Sequence, residues 1–249
     1  MQTDDHVSSG LSDKPGQAVT SPDEAMSNVM NVSIGILGGT GEQGRGLARR
    51  LAMAGNPVTL GSRDAARAGQ LAQDVLDSIP GSGAQVRGAD NVSCALDNDL
   101  VIIAVPWDGH RALVEAMCEA LAGKIVVDCV NPLGFDKHGA FALPVPEGSA
   151  AQQAASVLAS STVVGAFHHV SAVLLLDPQV ERIETDVLVL GDDREATDLV
   201  QALASSIPGM RGVYGGRLRN AGQVEAMTAN LISINRRYKA HAGLRVTDL

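Results

Sequence analysis

Aromatic side chains are almost missing from this sequence, and that absence shapes its core. Three Phe, two Tyr and one Trp serve 249 residues, so Val, Leu, Ile and Ala must fill the interior. Apolar residues still make up 45%, enough for a sizeable core in one large domain or one and a half. Such aliphatic, Ala- and Gly-rich usage suits a doubly wound α/β protein. Cysteine is scarce too. Cys94, Cys118 and Cys129 have an odd count and no metal-ligand spacing, which reads as free thiols in a reducing cytoplasm. No apolar run approaches the roughly 18 residues of a membrane span, and the polar, acidic first residues lack a signal-peptide core. Positive charge is in short supply: the net charge of −9 argues against a nucleic-acid partner. It is also unevenly spread. Residues 1–30 hold five acids and one Lys, whereas 211–249 hold seven Lys or Arg against two acids. That basic end either attracts an anionic ligand or is a solvated helix face.

Residues 1–30 are rich in Ser, Asp, Gly and Pro without periodicity. They bury too little apolar surface to offset ordering entropy and are expected to be disordered, with no role for His6. The organising stretch follows. Val32, Ile34 and Ile36 alternate in a short buried strand. Gly39, Gly41 and Gly44 then give G-x-G-x-x-G, with Thr40 and Gln43 inside the loop. Gly44 opens a helix expected to turn Leu47 and Leu51 inward and Arg45, Arg49 and Arg50 outward. Gly55 stops it and Val58 starts a second strand. A glycine loop between strand and helix is either a tight turn with no ligand or a dinucleotide site. In the second case the glycines admit a pyrophosphate to the helix N-terminus. Where NAD enzymes place an acid to hold the ribose hydroxyls, this chain has Gly61-Ser62-Arg63. A hydroxyl and a guanidinium suit a 2′-phosphate, so the reading is NADP, with Arg67 one helical turn on as a second cation. Asp64 follows one step later and can instead cap the next helix.

Further strands are expected at Val86, Leu100–Val105, Lys124–Val130, Thr162–Ala166, Asp186–Leu190 and Val213. Helices are expected over 65–79, from a cap at Asn91 to Leu96, after a cap at Asp108, from Ser149 to Ala159, over 193–205 and over 219–240. A long functional loop should run from Asn131 to Gly148. Ligands of open α/β sheets sit outside the carboxyl ends of the strands, which makes Pro106-Trp107, Asn131-Pro132 and His168-His169-Val170 candidate walls. Adjacent histidines in an extended segment point to opposite faces, so one can face the cleft. His168 is then either a site residue or a satisfied structural histidine. In the last helix Val224, Met227, Leu231, Ile234 and Tyr238 form a heptad-like apolar seam, for its own sheet or for a second copy.

The run GGTGEQGRGLARRLA, with the following Gly61-Ser62-Arg63, resembles the F420-dependent NADP oxidoreductases, the NADPH-dependent reductases of an 8-hydroxy-5-deazaflavin. The likeness extends from about Val32 to the C-terminus. It includes the strand-end Pro106-Trp107 followed by an acid and a His. It implies that Thr40, Ser62, Arg63 and Arg67 contact NADP, although the family often has Lys at the last position. It also implies that His168 and Val170 line the ring-stacking cleft. Gly216, Leu218 and Asn220 match a Gly-x-Leu-x-Asn beside the deazaflavin, while Arg217 and Arg219 depart from the uncharged residues expected there. They either meet the coenzyme's phosphate or glutamate tail or are exposed.

The implied fold is a Rossmann-like, mostly parallel doubly wound sheet. Residues 31–166 would bind NADP, and an α-helical or αβ extension over 167–249 would complete the cleft and a homodimer contact. The implied activity is hydride exchange between NADP(H) and coenzyme F420 in the cytoplasm. Two other readings stand beside it: an NADPH-dependent pyrroline-carboxylate or imine reductase, and a non-enzymatic NADP sensor. Hydride transfer needs no catalytic acid, because the paired rings carry the chemistry and the protein positions them.

Overall fold

The computed structural model describes Val29 and residues 32–249. The expected disordered segment therefore lies outside the described residues, Val29 excepted. That residue is buried, and its carbonyl accepts a 2.6 Å hydrogen bond from Asn56 Nδ2.

The chain winds β1 (Ile34–Leu37), α1 (Glu42–Met53), β2 (Val58–Ser62), α2 (Ala65–Asp77), β3 (Val86–Asp90), α3 (Asn91–Leu96), β4 (Leu100–Ile103), α4 (Trp107–Met117) and β5 (Ile125–Asp128). A hairpin of β6 (Leu133–Asp136) and β7 (Gly139–Ala142) follows, then α5 (Ala150–Val157), β8 (Thr162–Gly165) and α6 (Ala172–Leu176). The chain closes with β9 (Thr185–Gly191), α7 (Arg194–Ser205), β10 (Met210–Gly216), a 3₁₀ turn over Leu218–Asn220, and α8 (Ala221–Tyr238). Among the described residues ten strands form two sheets: an eight-stranded sheet in the order β10-β9-β8-β5-β4-β1-β2-β3, and the separate hairpin. From β3 to β8 every neighbour is parallel, β9 pairs antiparallel to β8, and β10 runs with β9. The strand order reverses between β1 and β4, the switch point at which such sheets bind ligands.

The period-2 alternation of strands divides the core into two layers. Ile36, Ile102 and Val127 face one side with Leu47 and Leu51 of α1. Leu37, Val101, Ile103 and Val126 face the other, with Val114 of α4, Ala150 and Ala154 of α5, and Leu218. Residues 167–249 extend the same sheet through β9 and β10.

Several local expectations need correction. Arg49 and Arg50 are buried, not outward: they keep 4% and 2% of their exposure. A two-faced helix was expected, but α1 has a second neighbour, α6, on its flank. Arg50 donates to the carbonyls of Leu174 (2.6 Å), Leu175 (2.9 Å) and Asp177 (3.1 Å), groups that a helix end otherwise leaves without donors. Helix α1 starts at Glu42 with Gly41 as its N-cap, two residues before Gly44. Asp90, not Asn91, caps α3 through the Val92 and Ser93 amides, and Pro106, not Asp108, occupies the N-cap of α4. The stretch after Asn131 is no open loop, since it contains the β6–β7 hairpin. Asp64 and Ser149 cap their helices as expected, and Asp193, expected inside its helix, caps α7 through the Ala196 amide.

Candidate functional site

The glycine loop is built by close approach. A Cβ on Gly44 would lie 2.7 Å from the Gly39 Cα and 2.9 Å from the Gly38 oxygen, and one on Gly39 would lie 2.8 Å from the Ile36 oxygen. The loop therefore folds on itself only with glycine at these positions. Gly39 N–H donates to the carbonyls of Ile36 and Gly61, tying the loop to β1 and β2. Among the described residues no side chain caps the N-terminus of the twelve-residue α1, so its first amides and partial positive charge face outward between Gly41 and Gln43. Thr40 is half-buried there. Gln43 Nε2 lies 3.4 Å from the Phe167 carbonyl and links the loop to the end of β8.

At the end of β2, Ser62 is half-buried and accepts a hydrogen bond from the Asp64 amide, while Arg63 and Arg67 are exposed. The Asp64 carboxylate receives the Arg67 amide as a helix cap. Two exposed arginines thus follow the half-buried Ser62 at the end of β2, with the nearby acid used for capping.

Strand register brings the remaining segments together. Leu37 pairs with Ile103, Ile103 with Asp128, and Asp128 with Gly165, so β1, β4, β5 and β8 end side by side. Pro106 and Trp107, Asn131 and Pro132, and His168 to Val170 leave from this common edge. Pro106 is exposed, Trp107 and Asn131 half-buried, and Pro132 buried. Asn131 Nδ2 donates to the His168 carbonyl at 2.7 Å, and Thr228 Oγ1 of α8 donates to the same carbonyl at 3.2 Å. These two bonds bind β5, β8 and the last helix into one unit.

The histidine pair departs from the expected alternation. Phe167, fully buried, adopts φ 62°, and the chain turns there instead of extending. A bulky residue in the left-handed region is strained, and such strain collects at functional segments. Both His168 and His169 are buried as a result. Neither ring nitrogen of His168 has a hydrogen-bond partner, whereas His169 Nε2 sits 3.4 Å from the Leu188 amide. Desolvation pulls both imidazoles down to about 4, so both are neutral at pH 7. Val170 is buried among the residues that pack around Ala166, Phe167 and Leu175.

On the other side, Gly216 has φ 112° and the Asn220 side chain packs over it, 2.9 Å from where a Cβ would lie. Leu218 is buried in the core layer of β4 and β5. Arg219 is exposed, and Arg217, also exposed, lies 3.4 Å from Asp192.

Polar residues beneath this edge escaped the sequence reading. Asp128, fully buried, lies 2.6 Å from His110. Glu225 of α8, also buried, accepts the Ala150 and Ala151 amides at 2.8 and 3.1 Å, and burial pushes its carboxyl up to about 7. Thr228 was missed as well. The available signals were an acid inside the apolar run KIVVDCV and another inside the seam of the last helix.

Taken together, the glycine loop at a β1–β4 switch point and the glycine-bounded N-terminus of α1 define a dinucleotide-binding doubly wound α/β protein. Residues 33–132 match the sequence model of the NADP oxidoreductase coenzyme F420-dependent family. An F420-dependent NADP reductase of Methanothermobacter marburgensis is 38% identical over 223 residues, which span 88% of this chain and 99% of that protein. The F420-dependent NADP reductase of Methanocaldococcus jannaschii is 37% identical over 224 residues, with 88% and 99% covered. A crystal structure from Arthrobacter sp. FB24, provisionally assigned as an F420-dependent NADP reductase, superposes with a TM-score of 0.73. It is 28% identical and covers 87% of this chain and 99% of that one. The chain belongs to the F420-dependent NADP reductase family.

Proposed function

We propose that this protein transfers a hydride between NADP(H) and the 8-hydroxy-5-deazaflavin coenzyme F420. The observation that carries the reading is the shared edge where β1, β4, β5 and β8 end, beside a glycine loop that only glycine permits. Gly39, Thr40, Gly41, Gln43 and Gly44 hold the pyrophosphate against the α1 N-terminus, and Ser62, Arg63 and Arg67 hold the 2′-phosphate. The two bound rings supply hydride donor and acceptor carbons. This chain's part is to bring them within about 3–3.5 Å and exclude water. Pro106, Trp107, Asn131 and Pro132 form one wall of that slot, and Gly216, Leu218 and Asn220 close the other. His168 is the buried polar group nearest in character to a coenzyme contact, because both its nitrogens lack partners. Val170, buried two residues further on, supplies the apolar side of that segment. Residues 31–166 act as the NADP-binding part and 167–249 complete the deazaflavin cleft.

The working form is a homodimer in the cytoplasm. The seam on α8 supports the dimer: Val224 and Leu231 are buried, but Ile234 and Tyr238 remain 40% and 73% exposed. Phe135 and Phe141 stand exposed on the hairpin that packs against α8. A two-fold contact would cover this face. The free cysteines among the described residues suit a reducing compartment. Light scattering at micromolar concentration should give the dimer mass, and a monomer would remove the interface. Loss of the deazaflavin's visible absorbance on adding NADPH tests the activity. NADPH oxidation by a cyclic imine alone would favour the imine-reductase reading.

A further inference from the structure

A continuous polar chain runs under the site, and its polarity can be read from its two ends. At one end the exposed Arg111 guanidinium pairs with Glu147 at 2.8 Å. Glu147 Oε2 accepts from Gln153 Nε2 at 3.2 Å. That bond fixes the Gln153 amide, so its oxygen faces His110 Nδ1 at 3.0 Å. An amide oxygen only accepts, so Nδ1 carries a proton. At the other end Asp128 Oδ1 accepts the Val130 amide at 3.0 Å, and Asp128 Oδ2 lies 2.6 Å from His110 Nε2. With Asp128 ionised, its oxygens only accept, so Nε2 carries a proton as well. Both nitrogens of a fully buried imidazole thus face acceptors. The ring also lies against Trp107, with centroids 5.5 Å apart and planes 27° apart, the approach of a cation to an indole face.

We infer that His110 is a positioning residue, held as an imidazolium, that fixes Trp107 and the turn through Val130 and Asn131, two parts of one wall of the hydride-transfer slot. The inference rests on the functional reading above for what the walls enclose, but not for the state of the ring. The titratable groups around His110 are Asp128 on β5, Glu225 on α8, Glu147 before α5 and Arg111 on its own helix. His168 lies across Asp128. Burial alone would lower the His110 value. The Asp128 bond and charge, with Gln153 and Glu225, outweigh it and raise the value above the ordinary 6.5. The electrostatic surroundings therefore favour the protonated ring, in line with the acceptors that face both of its nitrogens.

Trp107 is the only tryptophan, so the emission of the protein without cosubstrates reports this contact. A stacked imidazolium quenches an indole more than a neutral ring does. Emission should be quenched at pH 7 and rise with pH at a midpoint above 6.5, and the rise should be lost in His110→Gln. An unchanged titration in His110→Gln, or emission equal to that of the variant at every pH, overturns the inference. Nitrogen-15 NMR of histidine-labelled wild-type protein decides the protonation without any variant. One His110 ring nitrogen at the unprotonated shift at pH 7 refutes the assignment, and two at protonated shifts support it. The positioning role has its own readout. His110→Gln should raise the KM for the deazaflavin or cut hydride transfer by on the order of tenfold to a hundredfold, with the NADPH Kd nearly unchanged. Parallel loss of NADPH binding would make the role merely structural. Because emission and NMR need neither cosubstrate, failure here is distinguishable from failure of the functional reading.

Discussion

Replacing Arg50 by Met is the sharpest test of how the fold carries the site. The guanidinium makes bonds of 2.6, 2.9 and 3.1 Å to the carbonyls that end α6, the helix that follows the His168–Val170 turn. Methionine matches the aliphatic stem but leaves those carbonyls without donors inside the protein. A hydrogen bond to a charged group is worth about 1.5–3 kcal/mol, and an orphaned acceptor costs about 1–3 kcal/mol. Against this, the substitution relieves the burial of a charge. Desolvation, and then neighbouring Arg49, pull the Arg50 guanidinium down to about 10 despite Asp177, so that relief is real but partial. The net loss should be about 3 kcal/mol. For a chain of this size each kcal/mol lowers Tm by about 2–4 °C, so Tm should fall by roughly 6–12 °C. Scanning calorimetry measures it, with Arg50→Lys as an intermediate case that reaches fewer carbonyls. A Tm within about 2 °C of wild type would refute the assignment of Arg50 as the donor that secures α6.

Arg63→Glu should weaken NADPH binding by about 100-fold while NADH binding barely moves, measured by titration of each nucleotide; equal losses would remove the 2′-phosphate role. Val170→Ala should slow single-turnover hydride transfer with little change in NADPH affinity, at a stability cost of about 1–2 kcal/mol for the buried methyls removed. His168→Ala should mainly weaken the deazaflavin, and unchanged affinity would leave His168 a structural residue. Acid should expose the buried histidines. Their folded values near 4 lie below the ordinary 6.5, so the unfolded chain binds more protons between those limits, and stability should fall as pH drops from 6.5 toward 4. His168→Gln should flatten that slope in urea unfolding, and an unaltered slope would assign the effect elsewhere.

Local patterns with one interpretation were legible. Ile34 and Ile36, the glycines that follow and Val58 specify strand, loop and strand through periodicity and punctuation, and Asp64 and Ser149 announced their helices. Legibility ended where a residue's neighbour is distant in sequence. Arg50 looked solvated because its partners on α6 lie about 125 positions away. His168 and His169 looked alternating because nothing local announces the left-handed Phe167 that turns the chain. Asp128 met His110 only once β5 had been placed beside β4, and Glu225 reached the first amides of α5 across 74 positions. The hairpin after Asn131 hid because Leu133–Ala142 mixes exposed Phe with Gly and Asp and carries no clean alternation.

Hydride exchange between the two bound rings is direct. Stereospecifically deuterated NADPH, mixed with the oxidised deazaflavin and this protein alone, tests it in one experiment. The visible absorbance should disappear in step with NADPH oxidation, and the deuterium should appear on the deazaflavin ring carbon. NADPH that binds without oxidation, or deuterium that washes into water, would contradict it.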